Sequence, residues 1–455
     1  MQILFFADNF PPETNAQASR VFERARYWVR WGHSVTVITC APNFPDGKVY
    51  PGFQNRWRQT EVMAGIRVVR VKTFIAANRG TLRRMADYLS FLPVAIWAGL
   101  LERTPDVVAA TSPQMFAALA GLAVSRLRRR PFVLEISDLW PESLLAVGAM
   151  RKPNLVTRGL AKMASFLYSR ADRIVVLTEA FREKIAGLGA PGEKIDVILN
   201  GVDLEQYRPR SRDVALARQW GISPSQFVVG YIGTLGMAHG LENVLDAAQR
   251  LARTPLLFLM VGSGAEREQL LASANERGLT NVLFVAAQPK QSMPSYWSLC
   301  DIALVHLRDT PLFETVIPSK LFEAMGMGLP ILLAAPKGEA SKIVLEEGVG
   351  VHLPPGDPEK LALSLESLVG SRDKINEMGA RSSLAARRYS RERQARLYLA
   401  SLKSASDLAF SRLAQAEGVS PRARQALTAR EQHSLLKEAT QTKEIRLAVN
   451  VPRQL

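Results

Sequence analysis

At 455 residues, 47% hydrophobic and 22% charged, the chain is too long for one ordinary core and too apolar for a disordered or collagenous protein, so two globular domains are expected. Its only cysteines, Cys40 and Cys300, lie far apart, which speaks against a disulfide framework and favours a reducing, cytoplasmic setting. The net charge of +16 is uneven, with 27 Lys and Arg against 16 Asp and Glu in residues 1–200 but 22 against 21 in residues 201–400; the first half therefore expects an anionic partner (a membrane surface, a lipid phosphate or nucleic acid) or is merely a soluble basic domain.

The start, MQILFFADNFPPE, has no basic leader and reads as a first strand, not a signal peptide. In chain order, ILFFA (3–7), SVTVITC (34–40), IRVVRV (66–71), DVVAAT (106–111), PFVLEI (131–136) and RIVVLT (173–178) read as strands buried on both faces. Segments of helical length separate several of them, for example 16–31 and 114–127. This is the pattern of a doubly wound α/β sheet. It restarts with FVVGYIG (227–233), LLFLMVG (256–262), NVLFVA (281–286), DIALVHL (301–307) and PILLAA (330–335). Two Rossmann-like domains facing across a cleft are expected, joined near the Asn200-Gly201 turn signal. The predicted division is 1–198, 199–375, an Arg-rich helix over 376–402, and a helical or partly disordered tail over 403–455. Ligands bind such sheets at the carboxyl ends of the strands.

Residues 88–101, YLSFLPVAIWAGLL, form the most hydrophobic stretch. They are too few to span a bilayer, which needs about 20 residues. Flanking arginines suit an interfacial helix on an anionic membrane, and a buried helix of the first domain is the alternative. The run RLRRRP (126–131) adds Arg126, Arg128, Arg129 and Arg130 on the membrane side. No aromatic-interleaved basic motif accompanies them, which disfavours nucleic acid.

Phosphate chemistry is legible in three places. YIGTLGMAHGLENVLDAA (231–248) is a strand, a glycine-rich turn and a helix. There Gly233 and Gly236 let backbone N–H groups approach a ligand, or serve only the turn. The spacing is not G-x-G-x-x-G and no Walker lysine follows, so nicotinamide and P-loop chemistry are poor fits. VGSGAEREQL (261–270) is a second such turn, where Gly262 and Gly264 leave room for a flat group such as a nucleobase. In ETVIPSKLFEAMGMGLP (314–330), Pro318 ends the preceding segment and Ser319 suits an N-cap. Lys320 and the free amides of that helix start form a diphosphate cradle. Glu323, expected in the first turn, would then face neutral hydroxyls, and a ribose diol matches its two acceptor oxygens. Complementing the helix dipole is its simpler role.

Taken in order, FPPETNAQASR, GHSVTVIT (32–39), LNGVD (199–203), VGSGAE (261–266), PSKLFEAMGMGLPIL (318–332) and EEGVGVHLPPGDPEKLA (346–362) make residues 1–400 resemble the retaining family-4 glycosyltransferases of the GT-B fold. APNFPDGKVYPGF (41–53) and DLWPESLLAVGA (138–149) are most similar to the WbuB type, which transfers N-acetyl-L-fucosamine in O-antigen or capsule assembly. The resemblance implies that residues 1–198 bind an acceptor and residues 199–375 a nucleotide sugar, with no metal and no cofactor beyond the substrate.

Carried over by position, Glu323 matches the second glutamate of the family's E-x7-E motif and its ribose-binding role. The first falls at Thr315, with Glu314 the nearest carboxylate. Thr234 and His239 stand where the family has an arginine and a lysine, which shifts the expected diphosphate contacts to Lys320, Arg308 and backbone amides. Asn15 and Ala16 occupy the place of a common Gly-Gly pair in a tip that closes over the phosphates. Asp138 and Glu142 are candidate catalytic contacts to donor sugar or acceptor, or else a helix cap and a surface residue; Ser112, in TSPQ (111–114), is a candidate contact to acceptor phosphate or sugar.

The activity implied is transfer from a nucleotide diphosphate sugar, expected to be UDP-linked, to a polyprenyl-diphosphate-linked saccharide, with retention, at the cytoplasmic face of an anionic inner membrane. Nucleic acid is not an expected partner. The alternatives are a GT-B nucleotide-sugar epimerase, which needs further acid–base groups in the cleft, and a catalytically silent membrane scaffold, suggested by the absent arginine, lysine and first glutamate.

Overall fold

The computed structural model describes residues 1–13, 15–44, 46–75, 81–112, 114–140 and 155–416. Glu142 and the end of the tail from residue 417 lie outside them.

The first sheet comprises β1 (Gln2–Phe6), β2 (Ser34–Cys40), β3 (Arg58–Met63), β4 (Ile66–Val71), β5 (Val107–Thr111), β6 (Phe132–Ile136), β7 (Arg173–Val176) and β8 (Ile195–Val197). Their spatial order is β3-β4-β2-β1-β5-β6-β7-β8, parallel except for β3 against β4. The second comprises β9 (Phe227–Ile232), β10 (Leu256–Val261), β11 (Val282–Val285), β12 (Ile302–His306), β13 (Ile331–Ala334) and β14 (Gly350–Leu353). It is parallel throughout, in the order β11-β10-β9-β12-β13-β14. Helices pack on both faces, and continuous apolar strands such as β5, β9 and β10 are buried along their whole length.

The strand reading missed β3 and β14, both edge strands, whereas β8 leads into the Asn200-Gly201 turn signal. Both missed strands are partly solvated and carry no continuous apolar run: β3 is RQTEVM and β14 is GVHL.

Five helices matter below: α1 (Ala16–Arg30), α2 (Thr81–Leu101), α3 (Met115–Leu127), α4 (Ser319–Gly326) and α5 (Arg391–Ala416). The single helix expected over 376–402 is in fact two, Arg372–Ala386 and α5, which continues to Ala416. The first packs against α4 in the second domain. The second returns to the first domain, where the Trp28 indole N–H donates to the Ala395 carbonyl at 2.9 Å and Tyr398 stacks 5.4 Å from Trp28. Buried Ala395, Tyr398, Leu399 and Leu402 share one core with Phe5, Val37 and Trp28. The reason is the apolar face of α5, which this core covers.

The chain thus crosses between domains twice, side by side. Val202 bridges Ser390, and Gly201 is a glycine of necessity, since a Cβ there would lie 2.5 Å from the Tyr389 carbonyl. Further contacts tie the domains: the Thr178 hydroxyl donates to the Thr315 carbonyl at 2.9 Å, and Lys290 meets Glu23 at 2.9 Å.

Candidate active site

In each sheet the chain winds outward in both directions from a central strand, β1 or β9, and the loops after those strands face each other. Two adjoining cavities lie between them. One of about 530 Å³ is walled mainly by the first domain, with Asp8, Asn43, Tyr88 and Asp138 among its lining. The other, about 630 Å³, has both domains in its wall, with Gly233, Thr234, His239, Gly262, Lys320 and Glu323 on the second-domain side. Ala16, Arg20, Asn200 and Ser319 line both.

The second-domain wall is built on backbone contacts. Gly233 follows β9 and Gly262 follows β10, both with φ near +150° (145° and 151°). A Cβ on Gly262 would sit 1.9 Å from the Gly233 carbonyl, and one on Gly264 2.2 Å from that of Leu235. These glycines therefore make room for neighbouring backbone, not for a flat ligand as the sequence suggested. Gly264 and Gly236 do not line the cavity. Gly233 has a different neighbour: its Cβ would meet the Lys320 ammonium at 2.9 Å.

Lys320 is the second residue of α4 and 8% exposed. Its Nζ lies 3.7 Å from the Tyr231 ring centroid and has no hydrogen-bond partner among the described residues. Burial lowers its pKa to about 7, against the pull of Glu323. An unpaired buried ammonium is costly, and here it faces a cavity sized for a ligand. Pro318, not Ser319, occupies the N-cap of α4, and neither side chain caps the helix. Glu323 is consequently the fifth helical residue, past the first turn. It sits three residues from Lys320, on the same helix face. Burial raises its carboxyl pKa, with Arg391, Lys290, the Trp297 indole and Lys320 opposing.

His239 lines the cavity with its Nδ1 3.2 Å from the His306 carbonyl, while His306 Nδ1 lies 2.6 Å from that of His239. Burial lowers both imidazoles to about 4, so they are neutral at pH 7. His239 therefore does not replace the cation that the family resemblance places there. Arg308 does not either: it pairs with Glu266 at 3.0 Å and lines a separate groove. Glu314 is exposed, and neither it nor Thr315 lines the cleft; the Thr315 hydroxyl donates to the Leu312 carbonyl at 2.8 Å.

On the first-domain side, Asn15 is the N-cap of α1, accepting from the Ala18 amide at 2.9 Å while its own amide donates to Asn9 at 2.8 Å. Asp138 opens onto the smaller cavity, and the enclosing walls raise its carboxyl pKa against the pull of Arg20. Ser112 is buried behind that floor, its carbonyl accepting from the Ser137 hydroxyl. The residues missed from sequence are Arg20 and Glu135. Arg20 Nε meets Glu135 Oε1 at 2.8 Å and Arg24 Nη1 meets Oε2 at 2.9 Å, with Glu135 fully buried. A signal existed, because a carboxylate inside the apolar strand PFVLEI demands a buried cation from elsewhere.

The arginine run after α3 divides. Arg126 and Arg129 are exposed, but Arg128 donates to the Leu100 carbonyl and Arg130 is buried, with Asp106 facing it. The run lies at the far end of α3 from Gln114, which lines the smaller cavity. Thirteen helical residues separate them, roughly 20 Å. In α2, Phe91, Ala95 and Ala98 are buried, whereas Leu89, Pro93, Trp97 and Leu101 form an exposed stripe. The buried reading of this segment describes one of its faces, and the other face is apolar and exposed.

Comparison with known proteins covers both halves. Residues 15–201 match the glycosyl transferase 4-like domain, and residues 215–384 match the glycosyl transferases group 1 family. The chain is 26% identical over 337 residues to the putative colanic acid biosynthesis glycosyl transferase WcaI of Escherichia coli K12, spanning 72% of this chain and 82% of that protein. It is 29% identical over 238 residues to the probable glycosyltransferase WbjE of Pseudomonas aeruginosa, spanning 52% of this chain and 59% of that one. Among solved structures, Anabaena HepE in complex with UDP aligns over 89% of this chain and all of that chain, with a TM-score of 0.67 at 20% identity, and shows the shared fold. WaaG, a glycosyltransferase involved in lipopolysaccharide biosynthesis, aligns with a TM-score of 0.59 at 16% identity, over 90% of this chain and 99% of that one. With a matched family on each side of one cleft and two parallel-sheet domains enclosing it, the chain belongs to the family-4 glycosyltransferases and has the GT-B fold.

Proposed function

We propose that the protein transfers a sugar from a nucleotide diphosphate donor, UDP-linked, to a polyprenyl-diphosphate-linked saccharide during assembly of a cell-surface polysaccharide, with retention of configuration. The observation that carries this reading is Lys320: a buried ammonium with no hydrogen-bond partner among the described residues, on the same helix face as Glu323, in a cavity walled by both domains. The diphosphate meets Lys320 and the amides at the start of α4, while Glu323 accepts from the ribose diol. As the C1–phosphate bond breaks, its electron pair moves onto the β-phosphate, where the preorganised cation stabilises the developing charge. The acceptor hydroxyl attacks from the same face and passes its proton to that phosphate, so retention needs no base from the protein. The acceptor's terminal sugar lies in the smaller cavity, against Asp138.

Delivery of a lipid-linked acceptor is supported by α2. Its apolar stripe, with Leu89 and Trp97 each 48% exposed and Leu101 56%, begins one residue from Tyr88, which lines the smaller cavity. Arg103, Arg126 and Arg129 are exposed around its far end, close to the exposed Leu127. A bilayer lying along this stripe holds the acceptor headgroup at the cavity mouth, with the helix in the interface; no helix among the described residues is long and apolar enough to cross a membrane. The name of WcaI, a putative colanic acid biosynthesis glycosyl transferase, favours surface-polysaccharide assembly. The WbuB resemblance makes UDP-N-acetyl-L-fucosamine the first donor to test.

The test is a screen of UDP-, GDP- and TDP-linked sugars with a short polyprenyl-diphosphate saccharide, the product's anomeric configuration being read by NMR. A UDP sugar is expected to give an α- or β-linked product matching its own anomer. Transfer from none of them, or undiminished transfer by Glu323→Ala, overturns the reading.

A further inference from the structure

The larger cavity carries more positive charge than its own carboxylates neutralise. Lys290 and Arg391 both reach Glu23, and both act on Glu323, so these four groups balance. Glu135 is one carboxylate shared by two guanidinium groups, Arg20 and Arg24, which leaves a surplus in the larger cavity; the other carboxylate acting on Arg20, Asp138, lines the smaller one. Arg24 also lines the larger cavity, but its guanidinium is held 4.9 Å above the Tyr398 ring. Arg20 is turned toward the cleft: it lines both cavities, and beyond Glu135 its Nη1 reaches only the Asn200 side-chain oxygen, at 3.5 Å, among the described residues. Lys320 supplies the other surplus charge from the opposite wall. A sugar-linked diphosphate carries about two negative charges, and a buried cation without a counter-ion is retained where an anion arrives to meet it.

Of the second domain's two cations on this cavity, Lys290 is already paired with Glu23, so Lys320 alone is left for a ligand. Thr234 is uncharged, His239 is held neutral and Arg308 is engaged outside the cleft. We propose that Arg20 is the second diphosphate-binding cation, held in place by Glu135, so that the donor's charge is clasped between Arg20 of one domain and Lys320 of the other. This rests on the donor reading above and adds where the missing charge comes from. The Glu135 pair fixes the guanidinium by its Nε edge and leaves the Nη edge to meet phosphate oxygens. Donor binding then draws the two domains together, which excludes water from the reacting bond.

The experiment is titration calorimetry of UDP and of uridine with wild type, Arg20→Gln, Arg20→Lys and Lys320→Met, folding being checked by circular dichroism and thermal melting. Arg20→Gln is expected to weaken UDP about 10- to 100-fold while leaving uridine unchanged. Arg20→Lys, which keeps the charge, recovers part of the loss and controls for folding. Equal UDP affinity in wild type and Arg20→Gln, with Lys320→Met still weakened, overturns the role of Arg20 and leaves the donor reading standing. Loss of UDP and uridine together in a folded Arg20→Gln also overturns it, because the effect is then not on phosphate. If wild type binds no UDP, and no ADP or GDP in the same titration, the donor reading itself falls and this role with it.

Discussion

The two walls of the cleft are built on different principles. The second-domain wall is local: Lys320 and Glu323 lie one turn apart on one helix, and the glycines behind them interlock through backbone. The first-domain wall is assembled at long range. Arg20 finds its carboxylate 115 residues away, and α5 returns from the far end of the chain to seat Tyr398 over Arg24. A motif can therefore specify the first kind of wall, whereas the second exists only once a whole domain and its returning helix have closed. Each mutation below sets one wall against the other.

The largest expected effect is on the long-range wall. Glu135→Gln leaves two arginines buried without a counter-ion and is expected to cost about 3–5 kcal/mol, read as a lowered denaturant midpoint. A change below about 1 kcal/mol would show that water, not Glu135, compensates these arginines.

Lys320→Met acts oppositely on activity and stability. Transfer is expected to fall about 10²- to 10³-fold in kcat, while the melting temperature rises because an unpaired buried charge has been removed. A fall in both would make Lys320 a structural residue.

Next comes Gly233→Ala, which places a methyl group 2.9 Å from the Lys320 ammonium at a φ of +145°. About 1–3 kcal/mol of strain is expected, with UDP affinity lowered and uridine affinity kept. Unchanged UDP affinity would show that Lys320 does not need its present position.

The pH dependence is smaller and has a definite sign. The folded pKa of Lys320, about 7, lies below its ordinary value of 10.5. Between these two values the unfolded chain holds more protons, so stability rises with pH through this window and gains nothing below it. UDP, which favours the ammonium, is expected to bind more weakly as pH climbs from 7 to 9, with proton uptake on binding at pH 8. Both trends should vanish in Lys320→Met, and a stability profile that falls across the window would contradict the assignment.

Smallest on the fold is Trp97→Glu. This exposed position is expected to change stability by less than about 0.5 kcal/mol, yet to reduce partitioning onto anionic vesicles. Vesicle binding equal to that of wild type would remove α2 from the membrane.

Much of this was readable beforehand, and the reasons are physical. Strands buried on both faces write themselves as unbroken apolar runs, so the two sheets and the join near Asn200 are legible, while the solvated edges β3 and β14 are not. Lys320 and Glu323 are legible because helical spacing alone puts them on one face. Thr315 and Glu314 show the limit: register along a chain does not say whether a residue reaches a cavity, and neither does. Arg308 is likewise diverted by Glu266, a partner that no local pattern announces.

By itself, then, the sequence determined the buried strands, their grouping into two sheets and the helix that carries Lys320 and Glu323, since these depend on periodicities of two and 3.6 residues. Only the tertiary structure decided which charges remain unspent. Whether an arginine is free, paired or buried depends on which acceptor folding brings beside it, and for Arg20, Arg128 and Arg308 that neighbour, a carboxylate or a main-chain carbonyl, came from a distant segment.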